Sequence, residues 1–289
     1  MREKTMNRGR RAFTLIELLV VIGIIAVLLA ILIPVVSRVR VSAQTANTTA
    51  EMHRISAAIG NYFNDFQAYP GMASNQSFAN GAKPFTPVSG NYTQSEDLVM
   101  ALLGGLQYDN NKKLVLVYDQ VGLGPISFNT VVVSPRKNAY IEKTPAELTP
   151  LELGQPAPMN KVSELGPPTY PSDSEVPEFM DTFTMPRPIL YIRANPSATR
   201  GNVLYNGNSG FNPTFSYDFG QLKPYLSGTD FGGKDQSDAT VRAYFATPDT
   251  KDLPQPTARA AGTYLLIDAG PDRIFGNDDD IIVSAGGGQ

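Results

Sequence analysis

Carboxylates carry most of the chemistry this sequence could do. The stretch Asp268-Ala269-Gly270-Pro271-Asp272-Arg273-Ile274-Phe275-Gly276-Asn277-Asp278-Asp279-Asp280-Ile281 gathers five aspartates in fourteen glycine-punctuated residues. Unpaired, these charges repel. A hard cation relieves the repulsion, and Ca²⁺ takes about 6–8 oxygens from carboxylates and backbone carbonyls in flexible geometry. The spacing is not that of a helix–loop–helix calcium loop, which needs a glutamate at the end of about 12 residues. The other reading is a solvated acidic hairpin turn. No thiol or imidazole stands in the stretch, which disfavours zinc and copper. A further carboxylate, Glu17, lies at the edge of an uncharged run from Leu18 to Val36. A carboxylate at membrane depth is costly and usually has an assigned partner. A positive group on a neighbouring copy of the same chain would serve; a solvated glutamate at headgroup level is the bland alternative.

Signals for catalysis are weak. The chain has no cysteine, which excludes thiol catalysis, disulfides and thiolate metal sites. Its one histidine, His53, stands on a helical stretch with no nucleophile elbow nearby, and reads as a surface or interface residue. Gly228-Thr229-Asp230-Phe231-Gly232-Gly233-Lys234-Asp235 comes close to a phosphate-binding loop. However, Asp235 stands where Ser or Thr must bind magnesium, and no strand precedes it, so it reads as a turn. Glu175 and Glu178 fall in a proline-rich region without hydrolase context. The expectation is a protein that is not an enzyme.

The elements that must position these residues begin with a long helix. Leu18–Val36 is 19 residues, long enough to cross a bilayer core. Before it lies a basic leader with Arg2, Lys4, Arg8, Arg10 and Arg11, which the positive-inside rule keeps in the cytoplasm despite Arg38 and Arg40 beyond. A conventional secretory signal fits poorly: the apolar run exceeds the usual core of about 7–15 residues, and no small-x-small cleavage site follows it cleanly. Apolar or small residues continue at helical spacing through Val39, Ala43, Ala46, Ala50, Ile55, Ala58, Ile59, Tyr62, Phe63 and Phe66. The alanines allow another helix to approach closely; the aromatic end suits burial against a globular domain. Pro34 lacks an N–H and loosens or kinks the helix. Ala68-Tyr69-Pro70-Gly71 ends it.

Arg11-Ala12-Phe13-Thr14-Leu15-Ile16-Glu17-Leu18 resembles the cleavage and methylation motif of type IV prepilins and of type II secretion pseudopilins. The resemblance implies cleavage by a prepilin peptidase between Ala12 and Phe13, with N-methylation of Phe13. Ala12 departs from the glycine usual there. The resemblance also implies that Glu17 pairs with the amino group of Phe13 on an adjacent subunit, and that Pro34 is the helix-softening proline. Partners implied are other pilin-like subunits, alike or different, an inner-membrane assembly platform and the bilayer. The C-terminal stretch resembles the calcium loop of major pseudopilins. That likeness puts side-chain ligands at Asp272, Asp278 and Asp280 and a backbone carbonyl near Ala269, with Asp268 and Asp279 as further candidates. Ca²⁺ is the implied cofactor.

Past the helix, residues 72–94 read as loop and Ser95–Gly104 as a short helix capped by Ser95. A tyrosine-proline loop followed by such a helix is similar to major pseudopilins. Strands are expected at 113–118, 126–134, Ile189–Ala194, Ala239–Thr247, Tyr264–Asp268 and Ile281–Ser284. Residues 144–188 hold ten prolines, a density that interrupts helix and ladder alike. They read as an extended insertion, either a surface decoration or a partner-binding face. The expected fold is α+β: a long N-terminal helix, half transmembrane and half packed, on a C-terminal globular domain with a small antiparallel sheet and long Pro/Gly-rich loops. The divisions are a removed leader (1–12), an assembly helix (13–36), its packed continuation (37–67) and an extracytoplasmic domain (68–289) carrying the insertion and the acidic loop 268–281.

Net charge is −3. Residues 1–12 carry five basic groups and one acid, so their loss leaves −7. An acidic mature chain lacks the basic face that nucleic acid requires. The resulting expectation is a filament subunit of a pilus or type II secretion pseudopilus, anchored by one pass in the bacterial inner membrane with its domain in the periplasm or on an extracellular filament. The alternative is a membrane-anchored extracytoplasmic binding module that does not polymerise.

Overall fold

The computed structural model describes residues 15–70, 94–108, 114–118, 120–121, 137–143, 148, 178–196, 198–205, 215–222, 225–226, 228–235 and 237–285. The chain divides into two units, Met1–Gln44 and Thr45–Gln289. Helix α1, Leu15–Phe66, begins in the first and ends in the second. The first described residues are helical, as the unbroken apolar run requires. Pro34 brings no N–H to the carbonyl of Ala30, but the helix carries on through it, and the Ser37 hydroxyl donates to the Pro34 carbonyl at 2.9 Å.

In the second unit α1 presents Thr48, Glu51, Met52, Ile55, Ala58, Ile59 and Tyr62 as one buried stripe at helical spacing. Ala43, Ala46 and Ala50 of the expected stripe are exposed, so the covered face begins at Thr48. The helix stops at Gln67, whose left-handed backbone (φ 52°) ends the spiral and whose N–H returns to the Phe63 carbonyl at 2.7 Å. The side chain also donates to Asn64 O at 3.1 Å, satisfying another terminal carbonyl.

Helix α2 spans Gln94–Leu102. Ser95, the expected cap, instead lies inside the helix. Its hydroxyl accepts the Tyr191 N–H at 3.0 Å, while Gln94 accepts that of Arg193 at 2.6 Å. These side chains satisfy backbone donors of a neighbouring strand. The hairpin β1 (Gly104–Tyr108) and β2 (Leu114–Tyr118) follows directly. Short strands β3 (Gln120–Val121) and β4 (Lys137–Asn138) pair antiparallel. The strand expected at 126–134 and the loop at 72–93 lie outside the described residues, as do Glu175 and most of 144–188. What is described of that last stretch, Leu148 and 178–188, has only isolated bridges, Leu148 to Phe179 and Met180 to Pro188. Its end is built into the domain: Phe179, Asp181, Phe183 and Arg187 are buried.

The central sheet has three antiparallel strands in the order β5 (Leu190–Arg193), β8 (Tyr264–Asp268), β9 (Ile281–Ser284). Between β5 and β8 in the chain lie β6 (Leu204–Tyr205) and β7 (Tyr217–Asp218), a short parallel pair. Every residue of β8 is buried, because both faces of the sheet are covered. Tyr191, Tyr264 and Leu266 face the core shared with α1 and α2. Leu190, Ile192, Leu265 and Ile267 face a second core holding Phe219, Phe231, Val241, Phe245 and Phe275.

One expected strand is a helix. Ala239–Tyr244 forms α3, and only Ala246 of the expected span makes a β-bridge, with Ala258. Asp238 decides this: in extended conformation it caps the helix, accepting the Thr240 N–H at 2.7 Å. Val241 and Phe245, four apart, then fall on one buried face. The β-branched and aromatic residues of the stretch favour a strand by themselves, and the cap overrides them.

Candidate functional site

The acidic loop joins β8 to β9, so a fully buried strand holds one end and a half-buried strand the other. Two glycines set its path. Gly270 has φ +60°, and a β-carbon there would lie 2.1 Å from the Asp279 carbonyl oxygen. Gly276 has φ +97°, and a β-carbon there would lie 2.3 Å from the Phe231 ring. Only glycine takes such conformations without strain.

The carboxylates serve the loop's own backbone. Asp272 accepts the Ile274 N–H at 2.8 Å and the Asn277 side-chain amide at 2.7 Å. Asp279 accepts the Asp272 N–H at 3.1 Å. Asp280 accepts the Gly276 N–H at 2.8 Å and the Tyr244 hydroxyl through the same oxygen, Oδ2. Its other oxygen is buried without a hydrogen-bond partner. Burial pushes the Asp280 carboxyl up to about 6; the Tyr244 and Gly276 bonds oppose this, and the charges of Asp279 and Asp272 add to it. Asp272 and Asp278 are exposed, and Ala269 is fully buried.

Asp268 turns elsewhere. It is fully buried, accepts the Gly270 N–H at 3.0 Å through Oδ1, and leaves Oδ2 without a donor. Burial first, then the neighbouring Asp181 charge, push it up to about 8 against the lowering effect of Arg273. A shift in this direction favours the protonated form, which removes the repulsion between the two buried carboxyls.

The sequence-derived ligands Asp272, Asp278, Asp279 and Asp280 therefore share one loop, but their side chains do not close on a common point. Among the described residues, no group of three or more aspartate, glutamate or histidine side chains is placed to hold a metal ion. The donor chemistry fits a hard cation, and the orphaned Asp280 oxygen is where such a cation would relieve a buried charge. Sequence reasoning missed Tyr244 and Asp181, which lie 36 and 87 residues away from the carboxyls they face, because nothing local couples them.

At the other end, Glu17 and Pro34 lie on α1, while Ala12 and Phe13 fall outside the described residues. Every residue from Leu15 to Ala43 is exposed, including a continuous set of Leu, Ile and Val side chains. An apolar surface of that extent needs lipid or protein to cover it. The helix is long and apolar enough to cross a membrane. His53 is exposed, as expected.

Residues 7–33 match a family described as the prokaryotic N-terminal methylation motif. No curated protein and no solved structure matches the chain.

Proposed function

The chain carries the methylation motif that marks type IV pilin-like and pseudopilin proteins, and from this premise we propose that it is a structural subunit of a pilus or type II secretion pseudopilus. The observation that carries the reading is the coincidence of that motif with a bare apolar helix holding one carboxylate, Glu17, near its start. A prepilin peptidase would cut between Ala12 and Phe13 and methylate the new amino terminus. The helix anchors the chain in the membrane before assembly. In the filament, helices of neighbouring subunits would cover the apolar surface. A desolvated carboxylate needs a cationic partner to be tolerated, and the Phe13 amino group of an adjacent subunit would supply it for Glu17. The domain beyond the helix would face the periplasm or coat an extracellular filament, serving assembly rather than catalysis.

Calcium belongs to the same proposal. Asp272, Asp278 and Asp280, with the Ala269 carbonyl and with Asp268 and Asp279 in reserve, would hold it. The ion would offset part of the loop's negative charge.

Mass spectrometry of the protein from its native membrane tests the processing step: the mature chain should begin at N-methylated Phe13. Glu17→Ala should insert and be processed normally, yet yield at least tenfold less filament by shear fractionation. A mature chain starting at Met1, or wild-type filament yield from the variant, contradicts the proposal.

A further inference from the structure

The acidic loop is gripped from its inner side by two arginines, and we infer that Arg273 and Arg187 form a built-in cationic clamp that closes the loop without any metal. Arg273 sits in the loop at φ +66°, a left-handed conformation that side-chain-bearing residues keep only where the surroundings over-determine it. Its surroundings do so. The guanidinium donates to the Gly270 carbonyl at 3.0 Å, to the Met185 carbonyl at 3.1 Å and to the Asp181 carboxylate, and it lies 5.0 Å from the Phe183 ring centroid. One side chain thereby ties both ends of the Gly270–Arg273 turn to the segment 181–185.

Arg187 grips the same turn from behind. It makes a forked pair with Asp230, both bonds at 3.1 Å, and donates to the carbonyls of Tyr225 and Arg273. Its guanidinium stacks over the Phe275 ring at 4.6 Å. Asp230 completes the grip by accepting the Phe275 N–H at 2.9 Å. Asp181 likewise accepts the N–H groups of Phe183 and Arg187 at 2.9 and 2.8 Å. Two loop carbonyls and two buried carboxylates therefore point at guanidinium groups, an arrangement of oxygens that elsewhere would call for a metal ion. Arginine suits it because its planar fork satisfies several acceptors at once.

The loop thus has an inner side whose carbonyls of Gly270 and Arg273 are held by guanidinium groups, and an outer side, with Asp272 and Asp278, open to solvent. A divalent cation would meet a loop already closed and would not have to fold it. The inference goes beyond the calcium reading and does not depend on it.

Hydrogen exchange of the full-length protein in detergent micelles, with EDTA throughout, tests the clamp. The amides of Asp272, Ile274 and Gly276 donate to loop carboxylates, so they report closure. They should be protected in the wild type with no metal present. Arg273→Gly keeps the backbone at ease, since glycine adopts this φ freely, and removes the side chain with its guanidinium. It should speed exchange at these amides at least tenfold and leave those of Tyr191 and Ile192 at wild-type rates. Asp181→Asn, a milder change that retains an acceptor oxygen, should do the same to a smaller extent. Three results overturn the clamp: wild-type loop amides that are unprotected in EDTA, wild-type exchange in both variants, or loss of sheet protection in both. A chain that never binds calcium leaves the clamp standing, because every variant is measured in chelator.

Discussion

At the scale of single residues, the loop's shape is fixed by what cannot be placed there. Gly270→Ala would set a β-carbon against the Asp279 carbonyl and force a left-handed alanine. The left-handed conformation alone costs about 1–2 kcal/mol, and the clash adds to it. We expect the variant to lose at least about 2 kcal/mol in urea-induced unfolding of the domain; an unchanged midpoint would show that the loop moves aside freely. Asp280 carries the buried oxygen without a partner, so it is the carboxylate whose loss a bound cation should feel most. Isothermal titration of the full-length chain with Ca²⁺ should detect binding that Asp280→Ala weakens at least tenfold. Binding absent from the wild type returns the loop to a solvated turn held by its own hydrogen bonds.

Among the elements, α1 changes occupation along its length. Up to Ala43 it is bare; from Thr48 it is a core helix. Polar ties fix that second part: Thr48 to Thr182 at 2.9 Å, Glu51 to Lys143 at 3.0 Å, Ser56 to the Tyr264 hydroxyl at 2.8 Å. Apolar burial nevertheless stabilises it most, at about 1.5–3 kcal/mol for each Ile or Leu side chain taken fully out of water. Ile59→Ala, at a site with no exposed surface, should destabilise the domain by about 2–5 kcal/mol, whereas Ile25→Ala in the bare half should leave the unfolding midpoint unmoved. Equal effects from the two would mean that the division of labour within the helix is wrong. The periodicity that reveals α1 is legible because it is local and long. The α3 segment is not: its Thr-Val-Arg-Ala-Tyr-Phe run suits a strand as well as a helix, and a single cap at Asp238 tips the choice.

For the molecule as a whole, the two cores are rich in tyrosine, and this sets its limits at high pH. Burial holds Tyr62, Tyr191, Tyr217 and Tyr244 well above the ordinary tyrosine value of 10.0. Tyr191 also donates its hydroxyl to the Pro70 carbonyl at 2.7 Å, a bond that only the protonated form can make. Folded-state pKa values above the unfolded ones mean that the unfolded chain loses these protons first. The stability they contribute is complete below about pH 10 and is lost as pH rises through the folded values. The domain should therefore unfold at a lower urea concentration at pH 11 than at pH 9. Absorbance at 295 nm should show a group of tyrosines that ionise only with unfolding. Titration of all of them near pH 10 in the folded state would contradict this.

The sequence alone determined the methylation motif, the long apolar run of α1, the position of Glu17 and the β8–loop–β9 unit, because each is written in contiguous residues: a motif, an uncharged run, two apolar strands around a turn. The tertiary structure decided what those residues do to each other at long range. It placed the end of the proline-rich stretch inside the domain, turned Asp268 away from the other loop carboxylates towards Asp181, and set two arginines against the loop. Those pairings join residues tens of positions apart, and their energies come from desolvation and from opposite charges brought close, neither of which exists until the chain has folded.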